Sequence, residues 1–316
     1  MAVILQVALD FVDLPRAVKV AEEAIEGGAD WLEIGTPLIK SEGMNAIRHL
    51  RKVFPGVTLL ADMKTMDAGR AEMEMAAKAG ANIAVVMGDA PDSTIKECIQ
   101  AGKNYGIKVC VDFINSSKVE ERVADIEKWG ADYIAVHTAI DDQMHGKTPF
   151  STLQRICSKV KIPVAVAGGI NSENVIDAVN AGASIVIVGG YISKSKDAKI
   201  AAESIKTAIK ENKRVGTTLF KRVTCEGIRE ALTKLSTANI SDGGHRAESI
   251  TGLYPIYQNI KLIGNAVTVR TFPGDWAKPV EAIDIAKEGD VIVIDAGGVG
   301  PAIWGELATH SALQKK

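Results

Sequence analysis

Asp62-Met-Lys-Thr-Met-Asp67 sets a lysine between two carboxylates, directly after the apolar run Val57–Ala61. Flanking negative charges keep an ammonium protonated. A cation fixed in this way can stabilise an oxyanion or hydrogen-bond a hydroxyl. Comparable groups stand at the ends of other short apolar runs: Asp10 after Val3–Leu9, Glu33 in Trp31–Ile34, Asp112 after Val109–Val111 and His137 after Tyr133–Val136. Glu33 and Asp62 are hard oxygen donors of the kind Mg²⁺ takes. Histidine is the side-chain type that trades protons near neutrality, so His137 is the candidate acid/base. Two further runs end in glycine, Ala167-Gly168-Gly169-Ile170-Asn171 and Val188-Gly189-Gly190-Tyr191. Glycines let backbone N–H groups approach an anion, and a helix start after each loop favours one. Gly168, Gly169, Ile170, Gly189 and Gly190 are therefore the candidate phosphate binders. Taken singly, each charged residue reads as a helix cap or a solvated loop charge. Six at the same phase of successive elements do not. His49, His145, His245 and His310 share no such phase and receive no role.

The elements that carry these residues repeat. Gly28-Ala-Asp30, Gly80-Ala-Asn82, Gly130-Ala-Asp132 and Gly182-Ala-Ser184 recur at intervals of 52, 50 and 52 residues. Each copy precedes a short apolar run, and a second run lies between copies, which makes eight strand candidates in about 190 residues. Between them lie amphipathic stretches such as Asp92–Tyr105, Lys118–Lys128, Asn171–Asn180 and Ala198–Lys210. Asp13-Leu-Pro opens another with a capping aspartate and an early proline. Alternating strands and helices with short links predict a parallel sheet, and eight βα units predict a (β/α)8 TIM barrel. An open doubly wound sheet competes, but such sheets reverse strand order midway and would break the period. In a barrel the chemistry gathers at the C-terminal rim, with phosphate at the loops after strands seven and eight.

Composition narrows the class. The chain has 316 residues, 47% hydrophobic and 24% charged, which excludes a disordered chain. A net charge of −2 gives no basic field for nucleic acid or anionic lipid. The longest apolar runs, Ile185–Val188 and Val291–Ile294, are strand-sized and far too short for a membrane span. No basic segment precedes the first apolar run, so a cytoplasmic protein is expected. Cys98, Cys110, Cys157 and Cys225 form no CxxC pair and read as reduced thiols.

Several motifs together resemble the 3-hexulose-6-phosphate synthase family of the orotidine-5′-phosphate decarboxylase superfamily. They are Leu5-Gln-Val-Ala-Leu-Asp10, Glu33-Ile-Gly-Thr-Pro-Leu-Ile-Lys40, Leu60-Ala-Asp-Met-Lys-Thr-Met-Asp-Ala-Gly69, Val136-His-Thr138, Gly146-Lys-Thr-Pro-Phe150 and Ala165-Val-Ala-Gly-Gly-Ile170. The resemblance covers residues 1–211 and implies the reversible aldol joining of formaldehyde to D-ribulose 5-phosphate. It implies Mg²⁺ on Glu33 and Asp62, a Mg²⁺-stabilised enediolate with Lys64 beside it, and proton transfer by His137. Asp112 would partner His137 or a substrate hydroxyl, and Asp10 would meet Lys64 or substrate. Asp67 would serve the neighbouring subunit of a homodimer with shared sites. The sister 3-keto-L-gulonate-6-phosphate decarboxylases typically carry Glu at the place of Asp112, Arg at that of Ile140 and Arg near Gly190, departures that favour the synthase. Ribulose-phosphate 3-epimerases need metal-binding histidines on early strands, where this chain has none.

The period stops after Glu211-Asn-Lys-Arg-Val-Gly216, a polar link into residues 212–316. Leu219–Leu235 and Val280–Ala286 read as helices, and Lys261–Val269 and Val291–Ile294 as strands. Ser236-Thr-Ala-Asn-Ile-Ser-Asp242, Gly274-Asp-Trp276, Gly289-Asp-Val-Ile-Val-Ile-Asp295 and Trp304-Gly-Glu-Leu307 resemble the regulator-of-ribonuclease-activity-like family, which includes 4-hydroxy-4-methyl-2-oxoglutarate aldolases. That family's Asp-Gly-x-x-Arg-Asp element is absent before Lys316. The resemblance thus implies a second, smaller, incomplete α/β domain with no activity of its own. The alternative function class is a non-catalytic regulator that binds a protein partner through this segment.

Overall fold

Each Gly-Ala-polar copy ends one helix and begins the next strand. In the computed structural model, which describes residues 2–114, 116–139, 148–217, 227–258 and 260–315, all four glycines take positive φ, from 91° at Gly28 to 104° at Gly182. Residues with a Cβ rarely adopt that conformation. The following alanine N–H folds back onto the helix: Ala29 to Ala24, Ala81 to Ala76, Ala131 to Ile126 and Ala183 to Ala178, at 3.0–3.3 Å. This closure satisfies carbonyls that a helix end leaves open. The polar residue then donates its N–H to the previous strand, Asp30 to Leu5, Asn82 to Leu59, Asp132 to Val109 and Ser184 to Val164. In three copies its side chain also accepts the strand N–H, at 2.7 Å for Asp30, 2.8 Å for Asn82 and 2.9 Å for Asp132. The period is a stitch that fixes register at one end of the sheet.

The strands are β1 (Ile4–Leu9), β2 (Trp31–Ile34), β3 (Thr58–Thr65), β4 (Ile83–Met87), β5 (Lys108–Ile114), β6 (Tyr133–His137), β7 (Val164–Ala167) and β8 (Ile185–Val188). They pair in parallel in chain order, and β8 closes on β1 with Ile4 opposite Ile185. This is the expected (β/α)8 barrel. Asp13 caps the first helix, Leu14–Glu26, its Oδ1 accepting the Arg16 N–H at 2.9 Å. Alternation along the strands sends Leu60, Ile83, Val85, Cys110, Tyr133, Ala135, Ala165 and Ile185 into the lumen. Their neighbours, such as Leu5, Val7, Leu59, Ala61, Val109 and Val111, pack in the larger cluster that the helices share. The lumen is thus a filled plug that supports whatever sits above it.

Three strand ends differ from the apolar runs. β3, β5 and β6 run on through Asp62 with Lys64, Asp112 and His137 instead of stopping before them. Apolarity ends there because the lumen opens into a polar cavity; β5 still pairs at Asp112, opposite Met87 and Ala135, and β3 resumes pairing at Thr65 after a register shift.

The backbone divides into two compact units, Met1–Thr224 and Cys225–Lys316. In the second, β9 (Ala266–Arg270) and β10 (Val291–Asp295) pair in parallel, with Val291 opposite Ala266. Its helices are Ile228–Thr233, Thr237–Gly243, Ala277–Ile285 and Glu306–Lys315. The strand expected from Lys261 begins only at Ala266. Among the described residues, Ala282 and Ile283 are its buried hydrophobic side chains, while Leu253, Tyr254, Ile256, Leu262, Phe272 and Leu307 are exposed. Ile140, His145, the Gly146-Lys147 pair, Cys225 and the first part of the helix expected over Leu219–Leu235 lie outside the described residues. No helix among the described residues is long and apolar enough to cross a membrane.

Candidate active site

Side chains two residues apart on a strand share a face. The lumen phase of β3 runs Leu60, Asp62, Lys64; that of β5 runs Cys110, Asp112; that of β6 runs Tyr133, Ala135, His137. The same alternation carries Gln6 and Asp10 from β1 and Glu33 from β2. All of these except Tyr133 line one cavity of about 760 Å³ at the C-terminal ends of the strands.

Lys64 is the hub. Its backbone is left-handed, with φ 48°, and the register of β3 against β4 shifts between Ala61 and Thr65. A bulge of this kind re-aims a side chain, and strain at a non-glycine residue marks a site that its surroundings over-determine. The ammonium lies 3.1 Å from Asp62 Oδ2 and 3.3 Å from Asp112 Oδ2. Burial alone would favour the neutral amine; Asp62 and Asp112 outweigh it and push the pKa up. Asp112 Oδ2 also lies 3.5 Å from His137 Nδ1. Burial raises the Asp112 carboxyl, and His137 with Lys64 more than reverses it, leaving the group below its ordinary value. Asp112 Oδ1 is buried with no hydrogen-bond partner among the described residues.

Glu33 and Asp10 are in the opposite condition. Glu33 is buried, and its Oε2 accepts a 2.6 Å hydrogen bond from Gln6 Nε2. Burial, then the charges of Asp62 and Asp10, raise its carboxyl well above the usual range. Asp10 stands at the exposed mouth, yet desolvation by the protein around it and the charge of Asp62 raise it too. A Cβ on Gly35 would come within 2.2 Å of Asp10 Oδ1, so glycine is required for that approach. Thr36 Oγ1 lies 2.8 Å from both the carbonyl and Oδ2 of Asp62.

This surplus of negative charge fits a divalent cation. Among the described residues no three His, Cys, Asp or Glu side chains form a ready-made cage. Mg²⁺ is commonly held by one or two carboxylates, with water and substrate oxygens completing the shell. Glu33 and Asp62 suit that mode.

Gly168, Gly169, Ile170, Gly189 and Gly190 line the cavity on the β7–β8 side. The helix starts expected to assist them are slight. Gly190–Ser193 is a single turn, and Val175–Asn180 begins behind Asn171, whose Oδ1 already accepts the N–H groups of Glu173 and Asn174 at 2.9 and 3.2 Å. Glycine amides, with Ser193 and Lys194 beside them on the wall, form this end. Asp67 does not reach the cavity. It is exposed, its Oδ1 accepts the Ala68 N–H at 2.7 Å, and it borders a separate groove with Arg70, Ser93 and Thr94.

Sequence reasoning passed over Gln6, Thr36, Lys40 and Lys194 as wall residues. Gln6 had a signal: a polar residue inside an apolar strand, in phase with Asp10. Thr36, Lys40 and Lys194 lie beyond their strands and gave none.

The orotidine 5′-phosphate decarboxylase / HUMPS family model matches residues 4–205, and the Aldolase/RraA model matches residues 237–316. The 3-hexulose-6-phosphate synthase of Bacillus subtilis (strain 168) is 39% identical over 206 residues, which span 65% of this chain and 98% of that protein. Its namesake from Staphylococcus aureus (strain NCTC 8325 / PS 47) is 38% identical with the same coverage. The crystal structure of 3-hexulose-6-phosphate synthase from Salmonella typhimurium matches with a TM-score of 0.63 and 36% identity, over 66% of this chain and 98% of that one. KGPDC from Streptococcus mutans shares the fold, with a TM-score of 0.61 and 22% identity over 67% and 99% of the two chains. The barrel with its lysine-centred cavity therefore makes this chain a member of the orotidine 5′-phosphate decarboxylase / HUMPS family, joined to a C-terminal Aldolase/RraA-like segment.

Proposed function

We propose that the chain is a 3-hexulose-6-phosphate synthase, an aldehyde-lyase that reversibly condenses formaldehyde with D-ribulose 5-phosphate to D-arabino-hex-3-ulose 6-phosphate. The observation that carries this reading is Lys64 held between Asp62 and Asp112, with His137 on the same Asp112 oxygen, opposite two glycine loops in one cavity.

The phosphate of the pentose rests on the amides of Gly168, Gly169, Ile170, Gly189 and Gly190, which places the carbonyl end over Lys64. His137 removes a C1 proton, and Asp112 orients the imidazole and stabilises the charge it gains. The enediolate oxygen meets the Lys64 ammonium, which is fixed before the reaction and needs no reorganisation. Asp112 Oδ1, which has no hydrogen-bond partner among the described residues, accepts a substrate hydroxyl. The enediolate carbon then attacks formaldehyde, and His137 returns its proton to the new hydroxymethyl oxygen, so protons balance over the cycle. Glu33 and Asp62 would hold Mg²⁺, which supplies further electrostatic stabilisation when bound. Gln6 and Thr36 keep those carboxylates in place. Asp10, facing the charge of Lys64 at the mouth, contacts substrate. Asp67, exposed at the end of β3, serves the site of a neighbouring subunit in a homodimer.

The test is formaldehyde consumption that depends on ribulose 5-phosphate and Mg²⁺. Lys64→Ala is expected to lower kcat by roughly 10³-fold, the scale of losing a main oxyanion donor. CO₂ release from 3-keto-L-gulonate 6-phosphate, with formaldehyde untouched, would show the sister decarboxylation instead.

A further inference from the structure

The stretch expected to be a polar link is fastened to the barrel. After the helix Ala198–Glu211, Lys213 N–H donates to the Ala208 carbonyl at 3.1 Å. Arg214 Nη2 pairs with Asp177 Oδ1 at 2.6 Å. Val215 N–H donates to the Ser172 carbonyl at 3.0 Å, and Ser172 Oγ donates to the Val215 carbonyl at 2.8 Å. Thr217 N–H donates to Glu173 Oε1 at 3.1 Å. Val215 also packs against the main core.

Tyr191 stands at the centre of these contacts. It is 4% exposed, and its hydroxyl lies 3.0 Å from each of Ser172 Oγ, Ser204 Oγ and Thr217 Oγ1. Ser172 is fully buried. Ser172 comes directly after Asn171, at the end of the β7 glycine loop, and Tyr191 comes directly after Gly190 in the β8 loop. One hydroxyl cluster thus ties both glycine loops to residues 215–217 and to the last barrel helix.

Glycine loops lack side chains that would hold their amides in one direction, so the residues at the end of each loop must do so. We propose that residues 213–217 form a strap that positions the two anion-binding loops, with Tyr191 as its clasp. The family match ends at residue 205, so the strap lies beyond the matched barrel. The inference rests on reading those loops as the phosphate end of the cavity. Tyr191 and Thr217 are positioning residues: their hydroxyls act on the substrate phosphate through the loop backbones.

The test uses the full chain with Tyr191→Phe and, separately, Thr217→Val, which removes a half-buried hydroxyl and keeps the experiment decisive if the first variant folds badly. The readouts are kcat, KM for each substrate and the competitive inhibition constant of inorganic phosphate. The strap predicts that KM for ribulose 5-phosphate and the phosphate constant rise together, roughly 5- to 10-fold, while kcat and KM for formaldehyde stay within about twofold. Unchanged constants in the folded variants, or a fall in kcat alone, would overturn the strap and leave the phosphate reading intact. Failure of inorganic phosphate to compete against the wild-type chain would overturn both.

Discussion

At the scale of single residues two buried acids of the cavity, Asp112 and Glu33, are shifted in opposite directions. Asp112 is held below its ordinary pKa by His137 and Lys64 against the effect of burial, whereas burial and neighbouring charge raise Glu33. A carboxyl raised by folding destabilises the folded state once ionised, and the penalty fades as pH falls toward its unfolded value. Glu33→Gln keeps the side-chain volume and an acceptor for Gln6. In metal-free buffer it is expected to raise Tm by roughly 2–4 °C at pH 8, the scale of about 1 kcal/mol in a barrel of this size. The gain should shrink as pH falls through the raised pKa toward about 4, the ordinary glutamate range. Calorimetry of the two proteins across pH checks this, and a lower or pH-independent Tm for the variant would contradict it. Asp62, Lys64 and Asp112 were legible because each closes an apolar run. Thr36 was not, because a threonine after Gly35 reads equally as a helix start. The left-handed backbone of Lys64 was invisible too, since a bulge is set by pairing with β4 and not by local composition.

At the scale of elements the sequence carried most of the barrel. All eight runs formed strands because each must be buried on both faces, which leaves a continuous apolar signature. That signature faded early in β3 and β5, where the lumen becomes a polar cavity and the strand continues. The Gly-Ala-polar period had a backbone cause that spacing alone did not reveal. Gly130 has φ 100°, and a Cβ there would meet nothing closer than 3.4 Å. Gly130→Ala should therefore destabilise the barrel by backbone strain alone, about 1–2 kcal/mol, with KM unchanged. Chemical denaturation beside a kinetic assay separates these effects, and a shifted KM would mean that the stitch reaches the site. The slight helix starts behind the glycine loops were not legible, because composition does not give the length of a helix that packing curtails.

At the scale of the whole molecule, Asp67 lies outside the cavity of its own chain, an arrangement that suits donation to a second subunit. Mixing Lys64→Ala with Asp67→Ala chains would then restore about a quarter of wild-type activity, because half the dimers are mixed and each carries one intact site. No recovery after confirmed subunit exchange would place Asp67 outside the shared site. The C-terminal unit holds few buried apolar side chains among its described residues. With Mg²⁺ and an oxaloacetate-type substrate the chain is expected to show no cleavage; measurable turnover would assign that unit a chemistry of its own.

The most direct trial of the central claim tracks ¹³C-formaldehyde by NMR with ribulose 5-phosphate and Mg²⁺, using wild-type and Lys64→Ala chains side by side. The label is expected to move into the hydroxymethyl carbon of a hexulose phosphate with the wild type and to stay in free formaldehyde with the variant. Unreacted formaldehyde with the wild type, or equal labelling by both chains, would contradict that claim.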